Sequence, residues 1–269
     1  MPKVSIVTVS FNQAQFLERT LLSVLNQDFS DIEFILIDPG STDGSRELIE
    51  RYRSRIAHVV LEPDAGAADG LNKGFALATG EIYGFLNSDD VLRPGAVSAA
   101  VRYLNEHQKV DVVSGHAEII DSQDRVLRRA FSDRMSIKQC VYGAVILIQP
   151  STFFRRSAYQ RTGGFNTQNR ATWDGEFFLD MAMAGSRFGR SNAIWSGYRL
   201  HKSSITTSQR LIDVMNESLQ KRFHRIVGRN PNSFDHLLES YYRVIRHLTN
   251  PRDTIERIMR GPVWGRDLD

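Results

Sequence analysis

A chain of 269 residues with 41% hydrophobic and 24% charged residues has a globular composition, which excludes a disordered or collagen-like chain, and it is long enough to bury an ample core. The formal net charge is only +3, residues 209–269 hold the whole excess with 11 Lys/Arg against 8 Asp/Glu, and no nucleic-acid partner is expected. Cys140 is the only cysteine, so an intrachain disulfide and a multi-cysteine zinc site are both excluded.

The chain opens on Val4-Ser-Ile-Val-Thr-Val-Ser10, a β-branched run that reads as a strand. Phe16, Leu17, Thr20, Leu21, Val24 and Leu25 then recur at helical spacing. The alternation continues with a strand at Glu33 to Asp38, a helix near Gly44 to Arg53, a strand at His58 to Glu62, a helix near Ala67 to Ala78 and a strand at Ile82 to Leu86. Four such strand–helix units imply a mostly parallel, doubly wound sheet. A helix from about Pro94 to Glu106 follows. Asp111 to Ile120 and Arg125 to Phe131 read as two strands joined by the polar turn Asp121-Ser-Gln-Asp124, so the second half is mixed. Helical spacing returns near Asp174 to Ala184, short strands are expected between Arg187 and Arg199, and a helix-rich tail begins near Ser208. Asn230-Pro-Asn and Asn250-Pro-Arg break that tail. The first residues lack the charged, apolar and small-residue regions of a signal peptide, and the longest apolar stretch, Tyr142 to Ile148, is far short of the roughly 20 residues of a spanning helix. A cytoplasmic protein is the expectation. Asn216-Glu-Ser218 matches a glycosylation pattern, but chance is the better reading inside a helical stretch.

In a parallel sheet, ligands gather at the carboxyl ends of the strands. Three polar clusters fall there: Ser10-Phe-Asn12, Asp38-Pro-Gly-Ser-Thr-Asp-Gly-Ser45 and Asn87-Ser-Asp-Asp90. The first two have the composition of ordinary turns and helix caps. The third places adjacent acids at the end of an apolar strand, where repulsion makes ionising both costly unless a cation or donor compensates. Hard oxygen ligands suit Mg2+ or Mn2+, which would bridge the chain to a diphosphate. A helix N-cap before Pro94 is the competing account. A fourth cluster, Thr172-Trp-Asp-Gly-Glu-Phe-Phe-Leu-Asp180, puts Asp174 at the start of a helix, where cap and cleft-facing acid are both open.

Together these segments resemble the inverting nucleotide-sugar transferases of glycosyltransferase family two, which have the GT-A fold. The likeness runs in order from about Lys3 to His201. It rests on Val4 to Asn12, Gln27, Ile37 to Ser45, Asn72-Lys-Gly-Phe-Ala-Leu-Ala-Thr-Gly80, Phe85-Leu-Asn-Ser-Asp-Asp90, Gly163-Gly-Phe165, Trp173-Asp174 and Tyr198-Arg-Leu-His201. The resemblance implies an α/β GT-A architecture: a catalytic domain over 1–207, with a nucleotide-sugar half to about 110 and an acceptor half from about 111, and a helical extension over 208–269. It implies that Ser10 and Asp38 lie near the nucleotide base and Asn87 near the ribose, with Asn12, Asn72, Lys73 and Ser88 in the same nucleotide-sugar set. Asp89, Asp90 and His201 become the metal set for Mn2+ or Mg2+, and Asp174 the general base. A hexosyl or N-acetylhexosaminyl transfer from a UDP-linked donor to a glycan or lipid-linked glycan is what it implies for the reaction.

Two positions depart from the pattern. Pro39 stands where a second acid usually follows Asp38, which leaves the donor's base open. Asn87-Ser-Asp89 replaces an Asp-x-Asp triplet, which leaves the metal contacts shared among Asn87, Asp89 and Asp90. The rival readings are a nucleotidyltransferase of similar fold and a non-catalytic carbohydrate-binding protein. A dinucleotide oxidoreductase is disfavoured because the first strand–helix turn, Ser10-Phe-Asn-Gln13, has none of the fingerprint glycines. In the tail, Leu237, Leu238, Tyr241, Tyr242, Val244, Ile245 and Leu248 form a broad apolar face with Arg243, Arg246 and His247 among them. Packing on the catalytic domain or in a homodimer is expected first, and peripheral attachment to an anionic membrane second.

Overall fold

A computed structural model describes residues 2–202, 212–261 and 263. Its first half alternates as the periodicity requires: β1 (Val4–Val9), α1 (Ala14–Leu25), β2 (Ile32–Ile37), α2 (Ser45–Arg51), β3 (His58–Val60), α3 (Ala67–Leu77) and β4 (Ile82–Asn87). β1 pairs in parallel with β2 and β4, and β2 with β3. Alternation along β1 divides the core between the two faces of the sheet. Val4 and Ile6 join Leu17 and Leu21 of α1, whereas Val7 joins Leu71 and Phe75 of α3. Gly74 lets α3 lie close on β1, because a Cβ there would run into the Val7 side chain.

The second half contains β5 (Val91–Leu92), α4 (Ala96–Glu106), β6 (Val112–Ile120), β7 (Val126–Ala130), α5 (Ile137–Val141), β8 (Thr152–Arg155), α6 (Arg156–Gln160), α7 (Trp173–Met183) and β9 (Phe188–Arg199). Among the described residues the nine strands form one sheet in the order β3-β2-β1-β4-β8-β6-β9-β5, with β7 on β6. β8 runs antiparallel to both β4 and β6 and so joins the parallel half to the mixed half. Two expectations change here. The short strands between Arg187 and Arg199 are one 12-residue strand, held along its length by parallel pairing to β6 with register shifts near His116. The helix expected from Pro94 begins at Ala96, after Gly95 in the left-handed region (φ 79°).

The tail comprises α8 (Ile212–Val227), α9 (Ser233–Thr249) and α10 (Pro251–Arg260), broken at the two Asn-Pro sites. Asn232 and Asp235 form a reciprocal capping box that starts α9. The apolar face expected to pack on the catalytic domain or in a homodimer is split: Leu238, Tyr242 and Ile245 are half-buried, with Tyr242 stacked on Tyr142 at 5.2 Å between ring centroids. Leu237, Tyr241, Val244 and Leu248 are each more than half exposed, and α9 docks through a mixed face whose polar groups make specific contacts. There Arg246 Nε reaches Asp133 Oδ2 at 2.7 Å, Asn250 Nδ2 reaches Asp133 Oδ1 at 2.6 Å, and Tyr142 donates to Asp235 at 3.1 Å. No helix among the described residues is long and apolar enough to cross a membrane.

Candidate functional site

The carboxyl ends of the parallel strands meet around a cavity of about 650 Å3, where a crevice is expected in an open α/β sheet. Ser10 after β1, Pro39 after β2, the Pro63 to Ala67 turn after β3 and Asn87 to Asp90 after β4 line it, and Tyr198 and Arg199 of β9 complete the wall. Ser10 is held by its backbone N–H to Ile37 O at 2.9 Å, yet its hydroxyl is buried without a hydrogen-bond partner. A buried orphan donor beside a cavity marks a place where a ligand's acceptor fits.

The turn after β4 is fixed from two sides. Thr20 of α1 donates to Ser88 O and shares its hydroxyl with Asp90 O, at 2.9 and 2.7 Å. From β9, Arg199 gives its Nε to Asp89 O at 2.6 Å and its backbone N–H to Asp90 Oδ1 at 2.7 Å. Asp89 is left partly open to the cavity, with Oδ2 at 3.1 Å from His201 Nε2. The His201 ring is backed by Phe16, 4.6 Å between centroids. Asp90 points inward. Burial, and then the neighbouring Asp89 charge, push its carboxyl well above the usual range, and its Oδ2 is buried without a hydrogen-bond partner. Among the described residues no group of three or more His, Cys, Asp or Glu side chains is placed to hold a metal by itself. Asp89 and His201 remain as a two-donor set. That set fits Mn2+ or Mg2+ with a shell completed by phosphate oxygens and water, because these ions are ordinarily held through one or two side chains plus substrate.

The other residues singled out by sequence are distributed unevenly. Asn87 faces the cavity and donates to Gln149 Oε1 at 3.2 Å. Asp38 is fully buried and accepts from Gly40 N, Ser41 N and the Ser41 hydroxyl at 3.1, 2.8 and 2.6 Å, so its carboxylate builds the loop that presents Pro39. Asn12 (φ 52°) is exposed and ties the first loop to the second, its Oδ1 accepting from Thr42 N at 2.9 Å. Asn72 lies behind the wall, where its amide clamps Phe165 through both backbone groups at 2.9 and 2.8 Å. Lys73 reaches Pro63 O at 2.6 Å and braces the same wall. Asp174 sits in the first turn of α7, one residue after the cavity-lining Trp173, with its carboxyl raised by burial and opposed by the charge of Arg222.

Sequence reasoning missed four wall residues. Asp64 accepts from Gly66 N at 2.8 Å and is raised by desolvation; the Pro63-Asp-Ala-Gly66 turn after β3 was a signal of the same kind as the clusters that were found. Phe11 offers a ring 58% exposed at the cavity edge. Arg170, hydrogen-bonded to Ala65 O, comes from a distant segment with no local signature, and Tyr198 lies in the Tyr198-to-His201 segment, of which only His201 was assigned to the site.

The family model described as Glycosyl transferase family 2 matches residues 5–187. An uncharacterized glycosyltransferase of Nostoc sp. is 35% identical over 131 residues, 48% of this chain and 40% of that protein, so this chain spans less than half of that relative. An uncharacterized glycosyltransferase of Mycobacterium tuberculosis is 31% identical over 185 residues, covering 68% of this chain and 70% of that one. Among solved structures, Staphylococcus aureus TarS 1-349 in complex with UDP-GlcNAc is similar with a TM-score of 0.66 at 16% identity, covering 97% of this chain and 76% of that one. The mannosyltransferase PcManGT from Pyrobaculum calidifontis, in complex with GDP-Man and Mn2+, is similar with a TM-score of 0.65 at 21% identity, covering 96% and 74%. The architecture is that of the GT-A transferases such as TarS. With the match over most of its length, and the signature segments gathered at one end of the sheet, the chain belongs to glycosyl transferase family 2.

Proposed function

We propose that the chain transfers one sugar from a nucleotide-diphosphate sugar to a hydroxyl of a glycan or lipid-linked acceptor, with inversion at the anomeric carbon. The observation that carries this reading is the Asp89–His201 pair beside a cavity built on strand ends, in a fold whose neighbours bind UDP, UDP-GlcNAc and GDP-Man. In this reading Ser10, Asn87 and Ser88 contact the nucleoside. Asp38, Asn12, Asn72 and Lys73 shape the loops around it. Asp89 and His201 would hold a divalent cation such as Mn2+, which would supply positive charge against the departing diphosphate. Asp174 accepts the proton from the acceptor hydroxyl as that oxygen bonds to the anomeric carbon and the bond to the diphosphate breaks. Residues 1–207 act as the catalytic unit and 208–269 as an extension that completes it.

A second observation favours attachment of that extension to an anionic membrane. Exposed Arg243, Arg252 and Arg260 surround the outward apolar stripe, while Asp235 and Asp253 of the same helices are turned inward and buried. Glu239 and Glu256 of these helices are only half-exposed, so the most accessible charge is positive, which suits a negative lipid surface better than a second copy of the same face. A lipid-linked acceptor would then be met at the bilayer.

The deciding experiment is a thermal-shift screen of nucleotide sugars in Mn2+, followed by product analysis with any donor that stabilises the chain. Stabilisation by a nucleotide sugar, and release of nucleoside diphosphate that increases with an acceptor, is the expected result. Release of pyrophosphate from a nucleoside triphosphate would establish the nucleotidyltransferase instead.

A further inference from the structure

A second cavity, of about 210 Å3, lies between α7, α8 and the loop before α7. It belongs to a polar zipper between the two helices. Thr172, Glu176 and Asp180 recur at one-turn intervals along α7, and Ser218, Arg222 and Arg225 share one face of α8. The outer rungs are filled. The Thr172 and Ser218 hydroxyls are 2.7 Å apart, and Arg225 pairs with Glu176 at 3.4 Å and with Asp180. Arg222 is the middle rung. Its Nε is buried without a hydrogen-bond partner, and among the described residues no carboxylate comes within ion-pair distance of it.

Every residue that lines this cavity is polar or charged, and its two carboxylates already have partners. Glu217 pairs with Lys221 at 2.7 Å. Glu176 accepts from Arg225 and from the Asn166 and Asn169 amides. Arg222 is half-buried, and Glu176 and Asp174 act on it only from beyond ion-pair distance; a guanidinium cannot shed its proton, so an anion that reached its unpartnered Nε would be favoured. Position matters as much as charge. Arg170 lines both cavities, Trp173 lines the larger and Thr172 the smaller. Asp174, the second residue of α7, lines neither cavity itself but directly follows Thr172 and Trp173, which line one each.

We propose that this second cavity is the acceptor subsite, and that it takes a sugar bearing an anionic group, a carboxylate or a phosphate, against the guanidinium of Arg222. The proposal rests on the glycosyl-transfer reading and adds the acceptor class to it. It also gives the tail a task, since Arg222 lies beyond residue 187, where the family match ends.

The test is ligand-observed NMR on the full chain with saturating UDP and Mn2+, using methyl glucuronide, methyl glucoside and glycerol 1-phosphate as probes, on wild type, Arg222→Gln and Arg222→Lys. UDP affinity, measured beforehand on each sample, reports on the donor site and on folding. Wild type should bind one of the two anionic probes at least about tenfold more tightly than the neutral glucoside, as expected for a charge-assisted contact. Which anion wins separates a uronate from a phosphate acceptor. The preference should fall to within about twofold in Arg222→Gln and survive in part in Arg222→Lys. Equal binding of charged and neutral probes by wild type overturns the subsite, as does a preference that persists in Arg222→Gln. If Arg222→Gln does not fold, the wild-type comparison and Arg222→Lys still decide. Failure of wild type to bind UDP, with the anion preference present, overturns the donor reading and leaves the anion site standing.

Discussion

Replacing Asp133 with Ala tests how the tail is held. The carboxylate is buried, 5% exposed, and accepts three hydrogen bonds: from Ile146 N at 2.8 Å, Arg246 Nε at 2.7 Å and Asn250 Nδ2 at 2.6 Å. Removing one partner of a buried ion pair costs about 3–5 kcal/mol. The lower end applies, because Arg246 keeps Asp253 at 2.8 Å and Asn250 keeps Phe131 O at 3.1 Å. About 3 kcal/mol is a large share of the 5–15 kcal/mol that holds a typical domain. The loss falls on the contact between α9 and the loop after β7, so it should appear as tail undocking before global unfolding. Urea unfolding followed by circular dichroism, together with limited trypsin digestion, reads both. The expected result is an early transition and new cleavage near Arg243 to Arg260, with Asp133→Asn intermediate. An Asp133→Ala protein within about 0.5 kcal/mol of wild type, and equally protease-resistant, would refute the polar docking of the tail.

Three further outcomes follow from the site and the tail. Asp174→Asn should keep donor affinity and lower transfer by at least about 10²-fold, since the amide cannot take the proton; near wild-type turnover would move attention to Glu176. Because burial raises the Asp174 carboxyl and only the ionised form is a base, kcat should fall with falling pH at a midpoint above the ordinary aspartate value of about 4, and a midpoint at or below that value contradicts the assignment. Asp89→Ala should abolish the Mn2+-dependent part of UDP binding in calorimetry, and unchanged affinity would remove Asp89 from the cation's shell. The chain should pellet with phosphatidylglycerol vesicles at low salt and less so after Leu237→Glu or Leu248→Glu; no pelleting by wild type would sink the membrane reading.

The parallel half of the fold was legible because its strands are short, β-branched and buried on both faces, and each is followed by a turn cluster and a helical period. β8 was not. Thr152–Arg155 is four residues long and follows Pro150, so nothing local announces a strand; it exists because β4 and β6 both offer it an edge. The site divides in the same way. Ser10, Asn87, Ser88 and Asp89 reach the cavity because the end of a parallel strand is itself the position that sequence predicts. Asn72 and Lys73 belong to a recognisable segment whose work is to brace the wall, a distinction that pattern cannot draw. Arg170 and Arg222 enter through tertiary packing alone.

The tail shows why amphipathicity predicts a face and not its partner. The spacing of Leu237, Tyr241, Val244 and Leu248 correctly marks one stripe of α9, and ordinary burial of apolar area would turn that stripe inward. Here the ground beneath the helix is polar: Asp133, the Tyr142 hydroxyl and the carbonyl of Phe131. Arg246, Asn250 and Asp235 match those groups, and turning the apolar stripe onto them would leave buried charges unpaired at several kcal/mol each. The helix therefore docks by its ion pairs. Tyr242 stacks on the Tyr142 ring beside those contacts, while Leu237, Tyr241, Val244 and Leu248 stay in solvent, as do Ile255, Ile258 and Met259 of α10. Exposed apolar residues gathered on two successive helices are a candidate interaction face. Arg243, Arg252 and Arg260 are exposed on the same two helices, and the vesicle experiment asks whether these basic groups and the exposed apolar residues act together.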